Sequence, residues 1–226
     1  MFTHCHEHHA KFGRLSRMMS EGVRFYQVDD QICYPSVTSV ISFVTGHKFV
    51  EWTKRVGVEE ANRVKKHATT RGTDLHLLFE HYINNEDVTK LDEYQKPLIQ
   101  LMFKAAKPHL DSRLDNIYQQ ETRMFSHKLC LAGAVDLICE VDGELAIVDF
   151  KTSKQEKPEE WLEDYFVQLS AYWAMFSERT GVVPKKLVVF LVGENGDVQI
   201  VERRNIMNYL ETLNDYVSQF VQHRDA

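Results

Sequence analysis

Residues 133–151, GAVDLICEVDGELAIVDFK, decide the fold of this chain. The D-G pair stands between two apolar runs, and a D-G pair in that position favours a tight turn between two strands. Side chains alternate between the faces of a strand, so Asp149 and Lys151 should point the same way while Phe150 points into the core. Asp136 lies on the neighbouring strand, where the hairpin can bring it opposite.

Two carboxylates beside an ammonium group would form a site suited to Mg²⁺ or Mn²⁺. These cations prefer oxygen ligands, and a nearby cationic group can hold a water molecule for reaction. The pattern has a second interpretation, because aspartate and lysine residues at strand ends commonly form solvated pairs and D-x-K occurs by chance. The context in the rest of the chain must decide between the two.

Length and composition indicate one domain, or one domain with a helical subdomain. The chain has 226 residues, of which 43% are hydrophobic, so it can bury one sizeable core. We find no apolar run long enough to cross a bilayer and no signal-peptide core, and we expect a soluble, non-secreted protein of the cytoplasm, a phage protein in a host cytoplasm included. The cysteines Cys5, Cys33, Cys130 and Cys139 show no C-x-x-C spacing, which favours reduced thiols.

Charge is distributed unevenly along the chain. The formal net charge of −6 argues against a uniformly basic coat for nucleic acid. Residues 47–71, however, contain seven lysines and arginines against three acids. Such a local basic surface suits an enzyme that holds a phosphodiester chain briefly, although a solvated helix face has the same composition.

The N-terminal half is expected to be mainly helical. The histidines His4, His6, His8 and His9 could hold zinc, but their spacing is unusual for such a site and favours a loosely packed tail over residues 1–20. The following pattern predicts an extended pair at 24–33, then a helix that starts near Pro35 with Ser36 or Thr38 and ends at Gly46, and short helices at 49–56 and 58–68. It also predicts a helix at 71–84 capped by Thr73 or Asp74, and a helix at 91–110 in which Pro97 and Pro108 are start, kink or stop signals.

The C-terminal half is expected to hold the sheet. Strands are predicted at 117–126, 129–140, 144–151, 186–192 and 197–202, with helices at 158–179 and 206–221. This order predicts an α/β fold with a central mixed sheet flanked by helices and an N-terminal helical cap. We divide it into a tail with short strands at 1–33, a helical subdomain at 34–112 and an α/β core at 113–226.

Two residue pairs on helices are candidates for a site. His76 and Glu80 lie four residues apart on one face beside the apolar stripe, and with carboxylates downstream the interpretation as ligands is favoured over a structural histidine. Gln168 and Tyr172 have the same spacing. The hydroxyls near the start of the first helix could take a phosphate, although a plain N-cap is the favoured interpretation.

Four motifs in order now resemble one family. They are G-x-x-x-H (Gly72, His76), G-x-x-D (Gly133, Asp136), D-x-K (Asp149, Lys151) and Q-x-x-x-Y (Gln168, Tyr172). The set resembles the RecB-like branch of the PD-(D/E)XK nuclease superfamily, and within it the mitochondrial genome maintenance exonuclease and its phage relatives, which share the YPSVT run at 34–38. A proline that precedes the first aspartate in much of the superfamily is replaced here by Val135.

The resemblance implies a restriction-endonuclease-like core and a role for each motif residue. His76, Asp136, Asp149 and the carbonyl of Phe150 should bind Mg²⁺ or Mn²⁺, and Lys151 should activate the attacking water. The supporting residues should be Gln168 and Tyr172 behind the strand, with Glu80 and Glu121 in roles close to the metal or at a second metal. No cysteine follows Cys139, so we expect no iron–sulfur cluster.

The implied activity is a metal-dependent DNA exonuclease acting on single-stranded ends. A structure-selective or duplex endonuclease and a non-catalytic nucleic-acid-binding protein on the same fold are the alternatives. Contacts to DNA are expected from Ser36, Thr38, Lys48, Trp52, Arg71 and Thr152, with Phe49 and Trp52 stacking on bases. We expect a monomer without a membrane partner, working beside replication or recombination proteins, since the sequence has no P-loop of its own.

Overall fold

The computed structural model describes residues 1–5 and 13–224. A small antiparallel sheet opens the chain, with strands β1 (Ser16–Ser20), β2 (Val23–Gln27) and β3 (Cys33–Pro35) in that order. The prediction of a loose tail is therefore wrong for the described part. Phe2 is buried, and its backbone N–H donates to Asn85 Oδ1 at 2.7 Å. The histidines His6, His8 and His9 lie outside the described residues.

Two long helices follow, where four shorter ones were predicted. Helix α1 (Val37–Val56) begins at the Ser36 cap, one of the two predicted starts, but continues through Gly46. A helical glycine costs only about 1 kcal/mol relative to alanine, so it does not by itself end a helix. The break falls at Gly57, where φ is +89°, and α2 (Val58–Ile83) then runs without interruption.

The predicted caps at Thr73 and Asp74 are thus interior positions of α2. Asp74 is buried and accepts a hydrogen bond from Lys96 Nζ at 2.8 Å. Helix α3 (Pro97–Arg113) begins at its proline, after two short 3-10 turns that replace the first part of the predicted helix. It continues through Pro108, although a proline inside a helix removes one backbone donor and crowds the preceding turn.

The central sheet has five strands in sequence order. These are β4 (Leu114–Ser126), β5 (Leu131–Val141), β6 (Glu144–Ser153), β7 (Lys186–Gly193) and β8 (Val198–Arg203). All neighbours are antiparallel except β6 and β7, which are parallel. Helix α4 (Glu163–Thr180) makes the crossover between them, and α5 (Ile206–Arg224) closes the described chain. The mixed sheet confirms the predicted α/β fold, while α4 starts later than expected because a 3-10 turn precedes it.

Both faces of the sheet are covered. On one face Ile147, Val189 and Leu191 pack with α1, α4 and α5, and on the other Val148, Phe150 and Phe190 pack with α2 and α3. Alternation along β6 and β7 therefore feeds two hydrophobic cores, and residues on either side of position 112 share the second core. Among the described helices, none combines the length and apolar character needed to cross a bilayer.

Candidate active site

The site forms where β5 and β6 separate. Their ladder ends at the Leu137–Val148 pair, and beyond it the two backbones no longer bond to each other. The carboxylate of Asp136 fills the gap, because its Oδ2 accepts a hydrogen bond from the backbone N–H of Phe150 at 2.8 Å. An aspartate thus replaces a strand partner, and this fixes its side chain beside the end of β6.

Helix α2 brings His76 to the same place. Its Nε2 lies 2.7 Å from the carbonyl oxygen of Phe150, which cannot donate, so Nε2 carries the proton. The other ring nitrogen, Nδ1, is left as an acceptor, 3.7 Å from Asp136 Oδ2 and 4.0 Å from Glu121 Oε1. The predicted metal ligand at the Phe150 carbonyl is therefore engaged with the imidazole and orients it.

Glu121 completes a cluster with these two residues. Gln120 pairs with Leu137 and Thr122 with Val135, so Glu121 lies level with Asp136 on the neighbouring strand. Its φ of +46° is uncommon for a non-glycine residue and marks a local distortion of β4. The ligand atoms of His76, Glu121 and Asp136 all lie within 4.8 Å of one another. We call these three residues the metal cluster.

The donor set fits a divalent cation. Two carboxylates and one imidazole suit Mg²⁺ or Mn²⁺. Burial, together with the charges of Asp136, Glu80 and Asp149, raises the pKa of Glu121 to about 8. Carboxylates crowded in this way repel one another, and a bound cation would offset that repulsion. Glu80 lies one turn beyond His76 and lines the same cleft.

Asp149 and Lys151 form an ion pair next to the cluster. Lys151 Nζ lies 2.5 Å from Asp149 Oδ2, while Asp149 Oδ1 accepts a hydrogen bond from Gln168 Nε2 at 3.0 Å. Burial raises the pKa of Asp149 to about 6, against the opposing effect of the Lys151 charge. Burial alone would lower the pKa of Lys151, but Asp149 and Asp136 outweigh it, so the pKa rises and the ammonium stays charged.

In the described structure, Glu121 therefore lies with His76 and Asp136, whereas Asp149 pairs with Lys151. Asp149 remains close enough to Asp136 for their charges to interact. Tyr172, from the fourth motif, packs against Gly133, and its hydroxyl pKa is raised by burial and by the charges of Asp149 and Asp136. The predicted support of the strand by Gln168 and Tyr172 thus corresponds to one hydrogen bond and one close packing contact.

The residues expected to contact DNA lie in three places. Ser36 is buried, and its hydroxyl accepts the backbone N–H of Ser39 and bonds to Thr38, so both are occupied at the start of α1. Lys48 is exposed and pairs with Asp164 at 3.3 Å. Trp52 lies next to Phe49, with ring centroids 5.5 Å apart.

Arg71 and Thr152 lie beside the metal cluster and contact each other. Arg71 Nε donates to Thr152 Oγ1 at 3.0 Å. They line a cavity with Tyr165 and Lys157, which sequence reasoning missed. The Tyr165 ring lies 5.0 Å from Lys151 Nζ, and its position three residues before Gln168 was the available signal. Lys157 comes from an irregular loop and gave no such signal.

Comparison with known families agrees with this geometry. The chain belongs to the PD-(D/E)XK nuclease superfamily, whose model matches residues 51–224. Among solved structures, the chain is similar to a protein from Eubacterium rectale described as a "Putative exonuclease", at 16% sequence identity and a TM-score of 0.41. That alignment covers 68% of this chain and 65% of the other, slightly less than two thirds of its length. No curated protein matches the sequence.

Proposed function

We propose that this chain is a metal-dependent deoxyribonuclease that hydrolyses phosphodiester bonds, and that it acts as an exonuclease on single-stranded DNA ends. The observation that carries the proposal is the convergence of His76, Glu121 and Asp136 within 4.8 Å, next to the Lys151–Asp149 pair. Three ligands and an adjacent ammonium suit phosphodiester hydrolysis, because the substrate is protected by its own negative charge and a cation can offset it.

Mg²⁺ or Mn²⁺ would be held by the metal cluster, and the charge of Asp149 would add to the attraction for the cation. When bound, the cation would neutralise a phosphate oxygen and lower the pKa of a water molecule. His76 offers Nδ1 because Phe150 fixes its Nε2 proton. Asp136 is fixed by the Phe150 N–H, so two of the ligands are oriented through one backbone residue.

Lys151 has the role of an electrostatic and orienting group. Its ammonium is held by Asp149 and stays charged, so it can stabilise negative charge on the phosphate and donate to the attacking water. Gln168 holds the other oxygen of Asp149 and so keeps the carboxylate turned toward the lysine. The metal cluster and Lys151 would thus act on one phosphate.

The preference for single strands is supported by the surface of α1 and α2. Phe49 is 45% exposed and lies beside Trp52, and Lys65 Nζ lies 5.7 Å from the Phe49 ring centre. Aromatic rings next to cations bind unpaired bases and backbone together. The order of the four motifs and the YPSVT run support a finer placement in the RecB-like branch near the mitochondrial genome maintenance exonuclease group, with replication or recombination proteins as partners.

An assay with linear and circular DNA tests the proposal. We expect Mg²⁺ or Mn²⁺ to support degradation of a linear single-stranded oligonucleotide, EDTA to stop it, and a closed single-stranded circle to survive. Asp149→Asn and Lys151→Met should each lose about 100-fold or more of the cleavage rate. Lys185→Met, an exposed lysine at the other end of the sheet, is the matched control and should keep wild-type activity.

The outcomes separate the candidate activities. Cleavage of the circle would replace the exonuclease with an endonuclease of the same chemistry. Binding of DNA without metal-dependent cleavage would favour a non-catalytic binding protein. Equal cleavage rates for Lys151→Met and wild type would show that the active site is not at Lys151.

A further inference from the structure

A second cavity adjoins the metal cluster. It has a volume of about 570 Å³ and lies between the first half of α2 and the carboxyl ends of β6 and β7. Its charged lining consists of Arg63, Arg71, Lys154 and Lys157 with a single acid, Glu194; His67 also borders it. The carboxyl ends of parallel strands are where α/β folds commonly bind ligands. The positive charge of the lining predicts that the ligand of this cavity is an anion.

Arg71 is the best-organised cation of this cavity. Its side chain is only 6% exposed, and Nε is held by Thr152 Oγ1 while Nη1 contacts the Glu194 carboxylate. Within residues 1–5 and 13–224, the hydrogen bonds of Arg71 leave Nη2 without a partner. A buried guanidinium with a remaining donor in a basic cavity is a fixed binding point for a phosphate oxygen.

Glu194 occupies the position that an anionic ligand would take. It lies in the turn between β7 and β8, where its backbone N–H donates to Ser153 O at 3.0 Å. Its carboxylate contacts Arg71, and the same oxygen lies 3.6 Å from His67 Nδ1. The protein thus already binds one anion of its own in this cavity.

The cavity is continuous with the proposed reaction site. Gly72 follows Arg71 and lines the cleft of the metal cluster. A Cβ added to Gly72 would lie 3.7 Å from Thr152 Oγ1, so the backbone of α2 approaches the end of β6 closely there. Thr152 lines the basic cavity and follows Lys151 directly. A strand with one phosphate at Lys151 can therefore place another in the cavity.

We propose that this cavity binds a second phosphate group of the substrate strand, through Arg71 with Lys154 and Lys157. The proposal further holds that Glu194 competes with this phosphate and so limits affinity for the strand. It rests on the proposed function in one respect, namely that the substrate is a nucleic acid. The phosphate can be an internal diester or a terminal monoester, and the test distinguishes them.

The test measures binding without cleavage. A fluorescent single-stranded 12-mer is titrated with the full chain in EDTA at several salt concentrations. Glu194→Gln, which removes the competing charge with little change of shape, should bind about tenfold more tightly. Glu211→Gln, an exposed acid on α5, makes the same charge change far from the cavity and should leave affinity nearly unchanged.

A second pair of variants tests the cations. Lys154→Gln should bind about threefold or more weakly, and the slope of log K against log salt should fall by about 0.7. Lys185→Gln is the matched control, because Lys185 is also exposed but lies at the opposite end of β7. Both positions are on the surface, so the variants should fold, and their thermal melting verifies this.

Three forms of the 12-mer identify the source of the phosphate. With a 5′-phosphate, a 3′-phosphate or neither, an equal gain from Glu194→Gln supports an internal diester, and a larger gain for one phosphorylated form supports a terminal group. Unchanged or weaker binding by Glu194→Gln on all three overturns the proposal. If the wild-type protein does not cleave DNA but Glu194→Gln still binds it more tightly, the proposed hydrolase activity is wrong and the proposed phosphate site stands.

Discussion

Among single residues, Gly133 and Tyr172 show how closely the motifs of this site pack. A Cβ at position 133 would lie 2.7 Å from Cε1 of Tyr172 and 3.0 Å from its hydroxyl oxygen. Position 133 has no room for a side chain while Tyr172 is present, because the tyrosine ring fills that space. The glycine of G-x-x-D thus has a steric cause, three residues before Asp136.

We therefore expect Gly133→Ala to lower the free energy of unfolding by about 1–3 kcal/mol, the usual cost of overpacking. Urea denaturation measures it. Gly46→Ala is the matched control, since it lies inside α1 with nothing within 4 Å of an added Cβ and should be neutral or stabilising by up to about 1 kcal/mol. Equal stabilities of the two variants would contradict the steric explanation.

At the scale of elements, α2 couples the hydrophobic core to the chemistry. Phe79 is 1% exposed and packs on Phe150 with ring centroids 4.7 Å apart, while the Phe150 backbone binds both His76 and Asp136. The buried stripe of the helix and the ligand orientation therefore meet at one strand residue. Packing at Phe79 should influence the site without touching substrate.

We expect Phe79→Ala to destabilise the protein by about 3–5 kcal/mol, because it leaves a cavity between α2 and β6. It should also reduce cleavage under conditions where circular dichroism shows the variant still folded, since the imidazole loses its support. Leu101→Ala, at a 49% exposed position on α3, should change neither property by a comparable amount. Full activity of folded Phe79→Ala would show that packing at Phe79 does not support the active site.

The elements also show what the sequence can and cannot predict. The hairpin of β5 and β6 followed from its D-G turn, and Ser36 was a visible cap, because these signals are local. The predicted helix end at Gly46 and the predicted cap at Asp74 were wrong. Packing and the ion pair with Lys96 outweigh the local preference of glycine and aspartate for helix ends. The neighbours of each site residue come from distant parts of the sequence. The grouping of Glu121 with His76 therefore becomes visible only in the folded structure.

At the scale of the whole molecule, the site gathers carboxyl groups around one cleft: Asp149 is buried beside Lys151, and the Glu121 side chain keeps 38% of its surface exposed. The pKa of Glu121 is raised to about 8 from an ordinary 4.5, and that of Asp149 to about 6 from 3.8. The folded, metal-free protein therefore binds protons more strongly than the unfolded chain over this range. This link sets the sign of the pH dependence.

Raised carboxyl pKa values contribute stability at low pH that is lost as the pH rises through the folded values. In EDTA, we therefore expect the melting temperature to fall from pH 5.5 to about pH 8 and then to level off, with the effect of Asp149 complete near pH 6 and that of Glu121 near pH 8. Glu121→Gln removes one of the two groups, so its melting temperature should change less, above all between pH 6 and pH 8, where Glu121 still holds a proton in the folded protein and Asp149 has largely lost its own. Millimolar Mg²⁺ or Mn²⁺ at pH 8.5 should raise the wild-type melting temperature by binding the folded state, and raise that of Glu121→Gln less. Differential scanning calorimetry of both proteins at each pH measures these shifts. Identical pH profiles for the two proteins, with no effect of metal on either, would mean that the carboxylates do not form the common cation site on which the nuclease assignment depends.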